Sequence, residues 1–184
     1  MAWAFKATGH SQGRWQQAEK ILVKLLEKLY LKWSMMKPIS FIFTTLILNF
    51  LLTIPILFFL IYFDISEDEI GGVDISKYSI WGLFIVAVVF APVIETFFGQ
   101  ALPIKLIQRF LGKKFKLIAL FTSAIIFSFG HFGYSIWYSI IILPMGFLLA
   151  ETYIIFQKRK ESSFWITTAV HSLRNLIAVI VIFW

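Results

Sequence analysis

The sequence contains no cysteine, which excludes disulfide bonds and every metal site built on thiolates. Charged residues are scarce, at 15% of the chain, and no internal repeat is evident. The first 15 residues lack the apolar stretch and the small-residue cleavage site of a signal peptide. We therefore interpret residues 1–15 as a disordered tail or one added by cloning.

Hydrophobic residues, by contrast, make up 59% of the sequence, and its mean hydropathy is +0.82. A water-soluble domain of 184 residues exposes too much surface to hide that much apolar material. Apolar runs of about 20 residues, long enough to cross a bilayer, recur from residue 38 to the C-terminus. They predict an all-α polytopic membrane protein with a transmembrane domain at 38–184. It would have about five spans, near 39–63, 78–103 with an amphipathic continuation to 112, 116–132, 135–157 and 164–184.

Residues 16–37 are predicted to form an amphipathic helix before the first span. Lysines recur on one face and aliphatic residues occupy the other. The two sets are Lys20, Lys24, Lys28 and Lys32, and Ile21, Leu22, Leu25, Leu26 and Leu29. This pattern is typical of a helix on an anionic membrane surface, and the alternative is a cytoplasmic helix that packs on the rest of the protein.

The isoelectric point of about 9.7 reflects basic residues beside apolar segments, where the positive-inside rule is a simpler cause than nucleic-acid binding. The N-terminal segment, the turn around Gly112 and the turn after residue 157 are basic, whereas the loop at 64–79 holds five acidic residues and one basic residue. Five spans then place the N-terminus in the cytoplasm and the C-terminus outside. We expect a multi-pass protein of the cell (inner) membrane.

Several polar residues lie inside the predicted spans, and each needs a partner or a cavity because an ionisable group in the bilayer is costly. If the second and third spans form a hairpin about Gly112, Glu95 and His131 reach similar depths. His171 and Asn175 are four residues apart and share one helix face. These depths predict one cluster in the cytoplasmic half of the bilayer. The polar residues inside the predicted spans are Glu95, His131, Glu151, His171, Arg174 and Asn175.

Two residues beside Glu95 favour a hydrated pocket. Pro92 cannot donate an N–H to Val88 and so loosens the helix before the carboxylate. Gly99, one turn after Glu95, allows a neighbouring helix to approach closely. A Glu and two His in such a pocket can activate water for amide hydrolysis, and an Asn can donate to the developing oxyanion without titrating. A purely structural polar network explains the same spacing equally well.

Glu151 and Arg174 are predicted to form an ion pair, because a neutralised pair explains two intramembrane charges at the lowest cost. The alternative is that Arg174, on nearly the same face as His171, touches the substrate. Neither residue is therefore counted among the candidate catalytic groups.

Four segments of the sequence resemble motifs of one family, the CPBP family of CAAX-processing and bacteriocin-processing intramembrane proteases. APVIETFFGQ, residues 91–100, is similar to EExxxR with its preceding proline, and FSFGH, residues 127–131, is similar to FxxxH. LPMGFLLAETY resembles the small-residue helix that follows, and HSLRN, residues 171–175, matches HxxxN. The resemblance covers a core at about 80–184.

The resemblance implies a helical membrane fold with a glutamate-dependent endopeptidase site. Glu95 would be the general base that activates water, and His131 would assist at that water. His171 and Asn175 would stabilise the oxyanion.

The sequence departs from the family pattern at two positions. Thr96 stands where the second Glu is expected, and Gln100 stands where the Arg is expected. The first Glu is the essential one in the mechanism that the resemblance implies, so that catalysis is compatible with both changes. The loss of the second acid and of its ion pair nevertheless leaves room for a non-catalytic member.

No cofactor is expected. The family has also been described as a metalloprotease, and Glu95, His131 and His171 would be the zinc ligands in that alternative. No HExxH motif is present, and three helices would supply the ligands, so that a metal-free mechanism is favoured. The expected partners are a peptide or membrane-protein substrate and the lipid bilayer, with no nucleic acid.

Two functions of other classes remain open from the residues. In a non-catalytic membrane scaffold or immunity-type partner, the polar set would only hold helices together. In a transporter or proton conductor, Glu and His would form a relay. The short chain and the lack of internal repeats count against transport.

Overall fold

The computed structural model describes residues 9–183 of the chain. The chain divides into two units, residues 1–37 and 38–184. In the first unit, the helix α1 (Gly9–Ser34) contains most of the predicted amphipathic segment and begins within the predicted N-terminal tail. The first part of that tail, residues 1–8, lies outside the described residues.

Five long helices form the second unit, and a short helix, Glu67–Ile70, lies in the connection between the first two of them. The long helices are α2 (Pro38–Tyr62), α3 (Ile80–Leu111), α4 (Lys116–Phe129), α5 (Ile136–Phe156) and α6 (Ser163–Phe183). All except α4 are long and apolar enough to cross a membrane. Because the part of the chain that the structure describes contains no strand, the prediction of an all-α polytopic membrane protein is confirmed.

The third predicted span, residues 116–132, is shorter than expected. Its helix α4 has 14 residues, and at about 1.5 Å per residue it rises about 21 Å, less than the bilayer core of about 30 Å. Its first residue, Lys116, contacts Glu151, which lies more than a turn before the end of α5. The start of α4 is therefore set back from the end of α5, and α4 ends level with the start of α5.

The central helix of this unit is α5. Buried residues make up 72% of its most apolar window, against 22–28% for α2, α3 and α6. The helices α2, α4 and α6 all pack against it. Gly146 permits a close approach of α4, since a Cβ atom there would lie 2.8 Å from the carbonyl oxygen of Ala124.

The first half of α3 is wound more widely than an α-helix. In the segment Phe84–Phe90 the helix is of the π type, and the N–H of Ala91 donates five residues back to the carbonyl of Val86. Residue 92 would be the next donor, but Pro92 has no N–H. The carbonyl of Ala87 therefore lacks a donor from its own helix, and a side chain of α6 supplies one, as described below.

A second π segment, Thr96–Ala101, precedes Pro103. The hydroxyl of Ser123 on α4 donates to the carbonyl of Gly99 at 2.7 Å. A Cβ atom at Gly99 would lie 2.9 Å from the ring of Phe127, also on α4. The prediction that Gly99 admits a neighbouring helix is confirmed, and that helix is α4.

Side-chain contacts also join the ends of the helices. The amides of Gln108 and Gln157 exchange hydrogen bonds of 2.8 and 2.9 Å, which connect the end of α3 to the turn after α5. At the opposite end, residues 63–79 form a loop, called the acidic loop here, and the hydroxyl of Ser135 donates to its Ile70 carbonyl at 2.5 Å. Gly71 in this loop has φ 68°, and a Cβ atom there would lie 3.0 Å from a carbonyl oxygen of the turn before α5. The acidic loop is thereby held against the turn at 130–135.

Candidate active site

Glu95 lies near the middle of α3, between its two π segments. About one third of its side chain is exposed. Its Oε2 atom lies 3.4 Å from Nε2 of His131 and 3.5 Å from Nε2 of His171. Three of the four predicted site residues, from three separate segments, therefore meet at one carboxylate oxygen.

His131 lies in the turn that follows α4, and a backbone contact fixes the direction of its ring. Its Nδ1 atom donates to the carbonyl of Phe127 at 2.9 Å. Because this proton is engaged, Nε2 is the nitrogen that exchanges a proton with Glu95 or with a water molecule beside it. The ring stacks on Tyr138, with centroids 5.9 Å apart.

His171 is almost completely buried on α6, with 2% of its side chain exposed. Its Nδ1 atom has no hydrogen-bond partner among the described residues, and its Nε2 atom points toward Glu95. The tautomer with its proton on Nε2 therefore directs one N–H toward the carboxylate.

Phe127 was not among the predicted site residues, although it begins the FSFGH segment. Its ring lies 5.1 Å from the ring of His131 and 5.3 Å from that of His171, centroid to centroid. It therefore fills the apolar space between the two imidazoles. The aromatic residue of the FxxxH pattern was the signal that could have identified it.

Asn175 lies one turn beyond His171 and lines the same cavity, but its hydrogen bonds within the described part of the chain go to other residues than the two His and Glu95. Its Nδ2 atom donates to the carbonyl of Ala87 at 2.9 Å. This is the carbonyl that the π segment and Pro92 leave without a donor from α3. One N–H of the Asn175 amide therefore holds α3, and a second N–H remains for another acceptor.

Three adjoining cavities surround these residues. The central cavity, of about 120 Å³, is lined by Glu95, His131, His171, Arg174 and Asn175, among others. A lateral cavity of about 230 Å³ lies between α3 and α4 and shares Glu95 and His131 with it. A loop cavity of about 390 Å³ lies under the acidic loop and shares Arg174 and Asn175 with it. Since one water occupies about 30 Å³ in the liquid, the central cavity can hold a few water molecules beside the carboxylate.

The chain matches the family model described as type II CAAX prenyl endopeptidase Rce1-like over residues 77–177, more than half of its length. The chain belongs to this family. It is therefore a hydrolase of the CAAX-protease type, a multi-pass intramembrane peptidase, and the resemblance to the CPBP family is confirmed. No curated protein and no solved structure matched the chain.

The matched region of this Rce1-like peptidase contains all four residues that the sequence motifs singled out. It begins at the end of the acidic loop and reaches Ile177 on α6. The helix α2 and the preceding unit lie outside it. The candidate site is therefore built from α3 to α6 and their connections.

The cavities of the Rce1-like peptidase extend toward the acidic loop. Val73 and Tyr78 of that loop line the central cavity, together with Tyr138 near the start of α5. The predicted position of the cluster, in the cytoplasmic half of the bilayer, stays a prediction.

The two positions that depart from the family motif are completely buried. Thr96 and Gln100 have no exposed surface. The Gln100 side chain contacts the hydroxyl of Ser123 on α4. The contact between Gln100 and Ser123 joins α3 and α4 without a charged group.

The predicted ion pair between Glu151 and Arg174 does not form. Glu151 Oε1 lies 3.1 Å from Nζ of Lys116, at the start of α4. Arg174 instead faces the central cavity and the loop cavity. Glu151 lies much closer to the basic end of the helices than Arg174, and a lysine at the first residue of α4 reaches it with its flexible stem.

The zinc alternative names Glu95, His131 and His171 as ligands, and whether the site needs a metal stays a prediction. Among the residues that the structure describes, no group of three or more His, Cys, Asp or Glu side chains is arranged to hold a metal ion.

Proposed function

We propose that this protein is a glutamate-dependent intramembrane endopeptidase, which hydrolyses a peptide bond of a membrane-associated protein or peptide by activating water. One observation carries the proposal. The Glu95 carboxylate meets two imidazoles from separate segments beside a cavity with room for water. In this arrangement Glu95 can act as the base, His131 can share a proton with the attacking water, and His171 can donate a hydrogen bond from a neutral ring.

The reaction would begin with a water molecule between Glu95 and His131. Glu95 takes a proton from that water as the oxygen attacks the carbonyl carbon of the substrate. The Nε2 atom of His131 accepts a hydrogen bond from the same water and keeps it oriented, because its Nδ1 proton is held by a backbone carbonyl. Glu95 then passes the proton to the leaving nitrogen, and the peptide C–N bond breaks.

The tetrahedral intermediate carries a negative oxygen that needs donors in a site largely shielded from water. The Nε2–H of His171 points into the cavity from a buried ring. Asn175 contributes its second N–H, while the first holds α3 in place. We therefore propose His171 and Asn175 as the oxyanion donors.

We further propose that the mechanism needs no metal ion and that the protein lies in the cell (inner) membrane with its N-terminus in the cytoplasm. Basic residues at the Gly112 turn and the turn after α5 support the orientation. The substrate is a peptide or a membrane protein that reaches the site within the bilayer.

The second function that the sequence left open is a non-catalytic membrane scaffold or immunity-type partner. The contacts of Asn175 with Ala87 and of Ser123 with Gly99 join α3 to its neighbours without any chemistry. A scaffold of this kind would keep its function when Glu95 is neutralised.

The decisive comparison is Glu95→Gln against Glu151→Gln, the same substitution at a second intramembrane glutamate outside the three cavities. Purified protein in nanodiscs is incubated with a farnesylated CAAX-type peptide, and products are measured by mass spectrometry. We expect Glu95→Gln to lower turnover by about 100-fold or more, because general-base catalysis contributes about 10²–10⁴. Glu151→Gln should retain most of the activity.

The same assay is run with and without a metal chelator, and both variants are checked for an unchanged folded yield. Chelator-sensitive turnover would overturn the metal-free mechanism. Undiminished turnover of Glu95→Gln would overturn the role of the carboxylate. Absence of Glu95-dependent cleavage by the parent protein would favour the scaffold.

A further inference from the structure

Arg174 is an intramembrane cation whose charge no ion pair explains. It lies on α6, three residues after His171, and lines both the central cavity and the loop cavity. No carboxylate of the described residues forms an ion pair with it. Its hydrogen bond to Oδ1 of Asn175, at 3.5 Å, is long. A charged residue in a membrane span requires a compensating partner, and a cavity-lining position indicates a ligand.

The loop cavity beside Arg174 has the dimensions of a ligand site. Its volume of about 390 Å³ falls in the range of about 300–1,000 Å³ that is typical of ligand pockets. Gly71 and Gly72, both with positive φ, form part of its wall. Tyr138 lines this cavity and the central one, so that the two spaces adjoin at Tyr138, Arg174 and Asn175.

The surrounding charges leave the guanidinium available to an anion. Asp74, the acid of the loop nearest in sequence to this cavity wall, is engaged by Lys77 at 3.1 Å and by Ser76. Glu95 shares the central cavity, but its inner oxygen lies between the two imidazoles. The neutral neighbour Tyr138 on the cavity wall carries a hydroxyl donor that an anion can also use.

We infer that Arg174 binds the free C-terminal carboxylate of the peptide substrate in the loop cavity, while the bond to be cleaved lies at Glu95. The inference rests on the proposed function and names a residue that determines how the substrate is positioned in that site. A guanidinium pairs with a carboxylate through two parallel hydrogen bonds, which fixes direction as well as position. A single cation among neutral donors matches a single negative charge.

A CAAX sequence is by definition the C-terminus of its protein, so that a CAAX substrate carries the carboxylate that Arg174 would bind. The carboxylate would thus set the register of the substrate. A peptide bound at Arg174 extends through the central cavity and presents an internal bond to the carboxylate of Glu95. Peptides without a free C-terminus would lose that register.

The test compares two probes on the Glu95→Gln background, where binding is separated from cleavage. The probes are one fluorescent farnesylated CAAX-type peptide with a free C-terminal carboxylate and the same peptide ending in a carboxamide. We expect the carboxylate form to bind about tenfold more tightly or better, as a charge-assisted contact allows. Adding Arg174→Gln should reduce this ratio to about one, and Arg174→Lys should give an intermediate ratio.

Arg159→Gln is the matched control, because Arg159 lies in the turn after α5 beside Glu161 and lines none of the three cavities. It should leave the ratio unchanged. The two peptides are also compared on protein that retains Arg174, and this comparison remains valid even if the Arg174 variants do not fold. Equal binding of both peptides there, or no binding of the carboxylate form, overturns the inference.

The two proposals fail differently. If cleavage depends on Glu95 but binding shows no preference for the carboxylate, the peptidase proposal stands and the role of Arg174 is overturned. If Arg174→Gln abolishes the preference for the carboxylate but no Glu95-dependent cleavage is found, the binding site stands and the peptidase proposal fails. A ratio that survives Arg174→Gln in folded protein overturns the inference.

Discussion

At the scale of single residues, Thr96 and Gln100 show how a charged motif is replaced without disrupting a helix interface. Both are fully buried on α3, one turn apart. The Gln100 side chain lies against Ser123, whose hydroxyl donates a hydrogen bond to the Gly99 carbonyl. An arginine at position 100 alone would be buried without its acid. The two departures from the family pattern are therefore coupled, and either one alone would be costly.

We expect Gln100→Arg to lower the stability of the protein by about 2.5–3.5 kcal/mol, the cost of an arginine in the middle of a membrane helix. The double variant Thr96→Glu with Gln100→Arg should recover part of this loss, because the pair restores neutrality four residues apart. Thermal unfolding in detergent measures both, and Gln100→Met serves as the neutral control. A single Gln100→Arg variant as stable as the parent protein would contradict the coupling.

At the scale of helices, α3 depends on its neighbours for its shape. The first π segment and Pro92 leave the carbonyl of Ala87 without a donor from the same helix, and Asn175 on α6 supplies the hydrogen. Ser123 on α4 donates to the carbonyl of Gly99 in the second π segment. Glu95 lies between these two supports, so that α4 and α6 together orient the carboxylate. Asn175 accordingly has a positioning role in addition to its proposed role as an oxyanion donor.

The positioning role predicts an energetic coupling between Pro92 and Asn175. With Pro92 in place, Asn175→Ala should cost about 0.6 kcal/mol and at most about 1.7 kcal/mol, the range measured for hydrogen bonds between membrane helices. In a Pro92→Ala background the cost should shrink, because the new N–H can donate to the carbonyl of Ala87. Unfolding in a denaturing detergent gives the four stabilities of this cycle.

Strictly additive effects of Pro92→Ala and Asn175→Ala would contradict the positioning role. Cleavage rates of the same four proteins separate the two roles of Asn175. A loss of turnover upon Asn175→Ala that persists in the Pro92→Ala background reports the oxyanion contact, because the backbone carbonyl is then satisfied from within α3. Ser172→Ala, between His171 and Asn175 and absent from all three cavity linings, controls for general damage to α6.

At the scale of the whole molecule, the cavities and the basic turns lie at opposite ends of the bundle. The central and loop cavities extend to the acidic loop, whereas Lys113 and Lys114 lie in the turn between α3 and α4. If the positive-inside rule holds, the cavities face away from the cytoplasm. The orientation in the membrane therefore decides from which side a substrate enters.

Because the sequence contains no cysteine, single cysteines report this orientation directly. We expect Asp68→Cys in the acidic loop to react with a membrane-impermeant maleimide in intact cells. Lys113→Cys, in the turn between α3 and α4, should react only after the cells are permeabilised. The opposite labelling pattern would reverse the topology and place the cavities on the cytoplasmic side. Equal labelling of both sites in intact cells would indicate a mixed orientation.

The sequence alone determined the membrane class, most of the helix boundaries and the residues that form the candidate site. Hydropathy is a local property that sums over about 20 consecutive residues, so that a span is readable without knowledge of its neighbours. Glu95, His131 and His171 were identifiable because each polar group in an apolar helix is costly and therefore exceptional. Their contact in space stayed a prediction from helix depth until the coordinates showed it.

Only the tertiary structure decided which partner each polar group takes and which end of the bundle the cavities reach. Glu151 pairs with Lys116 rather than Arg174, Asn175 donates to Ala87, and Arg174 faces the loop cavity. These choices depend on helix rotation and offset, which close contacts at small residues such as Gly99 and Gly146 determine. Depth follows from counting residues along one helix, whereas rotation and offset arise only when several helices pack together.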